Sequence, residues 1–150
     1  MKALVVYASR TGNTKQLAYL LKGELEKVTS KTDVVRVEDF HTDRLCDYQL
    51  CVIVTYSWGN GELPREMNGL FEAIERQPLS SLVTGIAGTG DQCYPYFCGA
   101  VDRFRDMLYV HTKLAVTLKV ELAPQQSDAE KCKKFADKLM GKVYEMTAVC

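Results

Sequence analysis

The sequence has one tryptophan, two histidines and four prolines in 150 residues, no excess of charge of either sign and no long apolar run. Each scarcity closes off a class of function. The 19 basic and 19 acidic side chains cancel, and no basic stripe with interleaved aromatics occurs, so no nucleic-acid partner is expected. Lys133 and Lys134 stand among Asp128, Glu130 and Asp137 and read as a solvated helix face. The cysteines (Cys46, Cys51, Cys93, Cys98, Cys132, Cys150) form no C-x-x-C pair, and His41 and His111 lie apart, so metal-ligand spacing is missing. A reducing, cytoplasmic compartment fits this cysteine usage. The apolar run Ala3–Ala8 leads straight into Ser9-Arg10-Thr11-Gly12 and reads as a strand, not as a secretion signal or a membrane span. Cys150 is the last residue, whereas prenylation needs the cysteine three places earlier.

What is present describes a folded domain. Hydrophobic residues make up 47% and charged residues 25%. A chain of this length, read as one domain over 1–150, can remove roughly two thirds of its unfolded surface from water without disulfides. Short apolar, β-branched runs alternate with amphipathic stretches, the pattern of a parallel sheet between helices. The strands are placed at Ala3–Ala8, Asp33–Glu38, Leu50–Tyr56, Leu82–Gly88 and Lys113–Leu122; the first, third and fourth lack polar alternation and should be central, buried on both faces. Helices are placed at Thr14–Val28, Arg65–Arg76, Gly99–Tyr109 and Ser127–Glu145, the last with Ser127 and Glu130 in capping-box spacing. His41–Tyr48 reads as a short helix or a loop. The resulting fold class is α/β, a doubly wound five-stranded parallel sheet of order 2-1-3-4-5 in a three-layer sandwich. Ligands of such sheets bind beyond the carboxyl ends of the strands at the switch point, which directs attention to the loops after residues 8, 56 and 88.

The first loop, Ser9-Arg10-Thr11-Gly12-Asn13-Thr14, combines hydroxyls, a glycine and the free N–H groups of a helix start, which together suit a phosphate. The plainer reading, in which Ser9 and Thr11 only cap the helix, leaves the density of donors after strand 1 unexplained. It is not a Walker A loop, because G-x-x-x-x-G-K-[ST] is missing. The second loop, Thr55-Tyr56-Ser57-Trp58-Gly59-Asn60-Gly61-Glu62, sets the single tryptophan beside two glycines, where it offers a stacking surface for a flat ring. The third, Gly88-Thr89-Gly90-Asp91-Gln92-Cys93-Tyr94-Pro95-Tyr96-Phe97-Cys98-Gly99, supplies Tyr94 as a second stacking ring. Phe97, and with it Tyr96, also fits simple closure of the sheet end. Two aromatic loops across a phosphate cradle describe a mononucleotide site with a large planar base.

These three segments, S-x-T-G-N-T, T-Y-S-W-G-N-G-E and G-T-G-D-x-x-Y-x-Y-F-C-G-A-V-D, in this order at successive strand ends, resemble the flavodoxin family over the whole chain. The uninterrupted run Lys113–Leu122 resembles the short-chain type. The resemblance implies flavin mononucleotide (FMN) as cofactor and one-electron transfer as function, with a flavodoxin reductase and electron-accepting enzymes as transient partners and a monomer as the working form. It implies a phosphate cradle of Ser9, Arg10, Thr11, Gly12, Asn13 and Thr14. Thr55, Tyr56, Ser57, Trp58, Gly59 and Asn60 follow from the second loop, and Thr89, Gly90, Asp91, Tyr94, Phe97 and Cys98 from the third. Trp58 and Tyr94 are to enclose the ring, and the Gly59–Asn60 peptide is to turn over on reduction so that its carbonyl meets flavin N5–H, a rotation glycine makes easy. No catalytic acid, base or nucleophile is expected, nor any metal ligand.

Against the acidic members of that family, this chain is neutral, has Arg10 in the phosphate loop, Arg65 just after the second loop and Asn60 where aspartate is frequent. Fewer negative charges should ease reduction. An activator of ribonucleotide reductase of similar fold would have a glycine-rich second loop without Trp58. A receiver domain would need aspartates where Ser9, Arg10 and Tyr56 stand. A cofactor-free interaction domain of the same shape is the third alternative. His41 and His111 read as surface loop residues, and Met67, Met107, Met140 and Met146 as helix packing.

Overall fold

The computed structural model describes residues 1–148. Its elements are β1 (Lys2–Tyr7), α1 (Asn13–Glu26), β2 (Lys31–Arg36), β3 (Leu50–Tyr56), α2 (Asn68–Arg76), β4 (Val83–Gly90), α3 (Gly99–His111), β5 (Lys113–Glu121) and α4 (Gln126–Ala148). All five strands run parallel in the order β2-β1-β3-β4-β5. The three central strands are the ones whose sequence lacks alternation, and nearly all their residues are buried, because helices cover both faces of a parallel sheet. Side chains then divide by the strand period of two. Leu4, Val6, Ile53 and Ile86 face α2 and α3, where Phe104 is fully buried; Ala3, Val5, Val52 and Val54 face α1 and α4, where Phe135 is. Met67, Met107 and Met140 are buried and Met146 packs against the second layer, as the helix pattern predicts.

The differences from the expected boundaries have local causes. Strand β2 begins at Lys31 and ends at Arg36, and Val37–Asp39 turns away as a 3-10 helix; on an edge strand whose residues are only half-buried, apolar content is a poor guide to the ends. The His41–Tyr48 segment holds a 3-10 helix, Thr42–Asp47, anchored by buried Leu45. Arg65–Met67 is also 3-10, so α2 starts at Asn68. His111 is the last residue of α3 and not a loop residue. Ser127 does not cap α4: it lies inside the helix, and Asp128 reaches back to accept from the Gln125 N–H at 2.8 Å, the second half of a capping box two residues earlier than expected.

Where the carboxyl ends of β3 and β4 meet, Gly88 has no room for a side chain. A Cβ on Gly88 would overlap a Val101 methyl and lie 2.7 Å from the Thr55 carbonyl oxygen of the neighbouring strand. Gly88→Ala is expected to destabilise the fold by about 1–3 kcal/mol through overpacking. Urea unfolding checks this: the midpoint should fall with little change in slope.

Candidate functional site

At the carboxyl edge of the sheet the three loops close around a cavity of about 370 Å³, within the range of small-molecule sites. Its walls bring together Arg10, Thr11 and Asn13 from the first loop, Tyr56, Ser57, Trp58 and Gly59 from the second, and Thr89, Gly90, Asp91, Tyr94 and Cys98 from the third. Each loop is shaped by contacts that its sequence makes possible.

The first loop enters α1 through Gly12 in the left-handed region (φ 99°), with no side chain capping the helix. The first intrahelical bond runs from the Gln16 N–H to the Gly12 carbonyl at 3.0 Å, so the N–H groups of Asn13, Thr14 and Lys15 have no partner within the helix. Ser9 Oγ accepts from the Gly12 N–H at 3.1 Å and holds the loop curled. Thr14 is buried and shares a hydrogen bond of 2.8 Å with the Thr89 hydroxyl, tying the start of α1 to the end of β4. Ser9, Gly12 and Thr14 thus shape the cradle without lining the cavity.

The second loop is closed by paired bonds of 2.8 Å between the Trp58 and Glu62 backbones, with Gly59 (φ 52°) and Gly61 (φ 88°) both in the left-handed region. Its base is docked on α3: Ser57 Oγ accepts from the Ala100 N–H at 2.9 Å, and a Cβ on Gly99 would stand 2.6 Å from Gly61 Cα. Asn60 is left exposed at the tip, outside the cavity wall. Thr55 is wholly buried, its hydroxyl donating to the Tyr56 carbonyl at 2.8 Å. Tyr56 lines the cavity with its hydroxyl donating to Glu66 at 2.8 Å; burial first, and then Glu66, push its pKa up to about 12, against the pull of the Arg10 charge.

In the third loop Asp91 accepts from the Cys93 N–H at 2.9 Å and its carbonyl from the Tyr94 N–H at 3.1 Å, a turn that leaves Tyr94 and Tyr96 exposed at the rim. Phe97, expected to line the site, instead packs half-buried against the layer beneath α2 and α3 and is absent from the wall. Tyr96, which the sequence leaves open to sheet closure, does line it. Leu122 was missed altogether. It lies past the end of β5 with φ 54°, its N–H donating to the Gly90 carbonyl at 2.7 Å, and forms part of the wall. A leucine ending an apolar strand has no local mark of a ligand site; only the pairing of β5 with β4 brings it there.

Neither cysteine near the cavity is activated. Burial pushes the Cys98 thiol up to about 12, while the exposed Cys93 thiol is raised by hydrogen bonding to Asp91 and then by its charge. Among the described residues no cluster of histidine, cysteine and acidic side chains could hold a metal ion, and no helix is long and apolar enough to cross a membrane.

The model of the Flavodoxin family matches residues 5–135. Probable flavodoxin 1 of Bacillus subtilis is 41% identical over 139 residues, covering 90% of this chain and 87% of that protein. Among solved structures, the oxidised flavodoxin 2 of Bacillus cereus superposes with a TM-score of 0.88 at 34% identity, covering 95% and 99% of the two chains. The flavodoxin of Streptococcus pneumoniae TIGR4 does so with a TM-score of 0.87 at 31% identity, again over 95% and 99%.

Since thiolate is the reactive form, iodoacetamide at neutral pH should modify Cys93 more slowly than free cysteine and leave Cys51, Cys98 and Cys132 intact until the protein unfolds. Asp91→Asn should speed the reaction at Cys93 severalfold. Mass mapping of alkylated peptides over time measures both.

Proposed function

Since the chain belongs to the flavodoxin family and is an FMN-bound electron-transfer protein, we propose that the cavity formed by its three loops is the FMN site. The observation that carries this assignment is that a glycine-opened helix start with free N–H groups and two half-exposed aromatic rings, Trp58 and Tyr94, border one cavity at the switch point of the sheet. The fit is chemical. The N–H groups of Asn13 to Lys15 and the Thr11 hydroxyl are donors suited to a phosphate, which the positive end of the helix also favours. Trp58 and Tyr94 offer flat apolar faces to the ring, and the backbone at Thr89, Gly90, Asp91 and Cys98 offers hydrogen-bonding groups to its polar edge.

FMN, when bound, supplies the capacity to take up and release electrons one at a time. The chain's own residues do the rest. Trp58 and Tyr94 keep water from the ring, and Gly59, with nothing within 4 Å of where a Cβ would lie, leaves the Gly59–Asn60 peptide free to rotate and present its carbonyl to a proton at N5. Asp91 and Glu62 oppose added negative charge near the site. Flavodoxins are electron carriers and not enzymes turning over a substrate of their own, and the protein acts with redox partners. A reductase and acceptor enzymes docking transiently at this rim, a monomeric working form, a single domain over 1–150 and a cytoplasmic location complete the proposal.

Stepwise anaerobic reduction by dithionite, followed in the visible region, tests the assignment. Flavin bands that change in two successive one-electron stages are expected; a colourless protein that takes up no added FMN would sink it and favour the cofactor-free reading. Because the chain has no net charge, reduction by a reductase should depend weakly on salt. A steep fall in rate with added salt would count against a docking surface without strong steering.

A further inference from the structure

Two cavities meet at Trp58, and Arg10, Tyr56 and Trp58 belong to the walls of both. The guanidinium carbon of Arg10 stands 4.6 Å from the centre of the indole ring. Arg36, Arg44, Arg76 and Arg105 each have a carboxylate within 4.0 Å; Arg10, like Arg65 and Arg103, forms no ion pair among the described residues, although Glu62 and Glu66 line the second of these cavities, and of these three only Arg10 lines the first. Its charge is therefore not neutralised in place. A planar, weakly hydrated guanidinium can lie on an aromatic face without losing that charge, and the contact fixes where the charge sits. The Arg10 charge also acts on the phenol of Tyr56, another wall residue.

We propose that Arg10, held against Trp58, is the residue that sets how readily the second electron enters the site. The proposal rests on the FMN assignment above. An electron that arrives with a proton leaves the charge of the site unchanged; an electron that arrives alone adds one negative charge, and only that addition is favoured by a nearby cation. With FMN held in the cavity, a first electron taken up with a proton at N5 would be of the first kind, and a second taken up alone would be of the other. Both come from dithionite in the test and from the reductase in service. Arg10 thus offsets Asp91 and Glu62 on the second step and is nearly silent on the first.

The test uses the FMN-loaded protein and its Arg10→Gln and Arg10→Lys variants in anaerobic potentiometric titrations, with FMN affinity measured separately by quenching of flavin fluorescence. Arg10→Gln should reduce the equilibrium constant for the second electron roughly tenfold, about 59 mV for a one-electron couple, and leave the first couple in place. Added salt should shrink the difference, because Arg10 is exposed. Arg10→Lys, which keeps the charge but loses the flat contact, should fall between. A glutamine variant that takes up FMN and reduces like the wild type overturns the role of Arg10 while leaving the flavin assignment standing. So does one in which both couples move together, since Arg10 would then not act selectively on the second electron. Wild-type protein that takes up no FMN overturns the assignment on which both rest.

Discussion

Two glycine backbones, at Gly61 and Gly99, approach so closely that neither position has room for a side chain, and the cavity depends on that approach. It seats the second loop on the first turn of α3, where the bond from the Ala100 N–H to Ser57 Oγ reinforces it. With the loop so placed, Trp58 faces the same space as Tyr94 from the third loop. On the other side the Thr14–Thr89 bond fastens the start of α1 to the end of β4, so the helix start and the aromatic rim are held to one frame. A contact between backbones is stiffer than one between side chains, which can escape into other rotamers.

That frame divides the labour between residues that shape and residues that face the ligand. Ser9, Gly12, Thr14 and Thr55 are committed to turns and to bonds within the protein, while Thr11, Asn13, Trp58 and Tyr94 are presented to the cavity. A site built this way needs little rearrangement to receive a ligand, which lowers the ordering cost of binding. The part left free is the exposed tip at Gly59 and Asn60, where a small rotation can occur without disturbing Gly61 or Ser57 beneath it.

The acidic and basic side chains are equal in number, four of the seven arginines have a carboxylate within 4.0 Å, and the cavity is bordered by Trp58, Tyr94, Tyr96 and Leu122, all about half-exposed or more. Arg10, which like Arg65 and Arg103 has no ion pair among the described residues, lies on the Trp58 ring.

Much of this is legible in the sequence. Unbroken apolar runs marked the central strands because burial on both faces removes alternation, and the loops at Ser9, Trp58 and Tyr94 declared themselves by residue types whose chemistry is local: hydroxyls, glycines and flat rings next to strand ends. Edge elements were blurred, as at β2, because a half-exposed strand tolerates either kind of residue at its ends. What only the tertiary structure decided was which way each side chain faces once distant segments meet. Phe97 and Tyr96 are neighbours in one loop, yet one joins the core and the other the cavity. Leu122 reaches the wall through its backbone bond to Gly90, and Arg10 finds an indole 48 residues away. The sequence by itself determined the elements and the chemistry available at their ends, since those follow from periodicity and residue type; the partner each side chain meets depends on contacts between segments far apart in the chain, which no local pattern records.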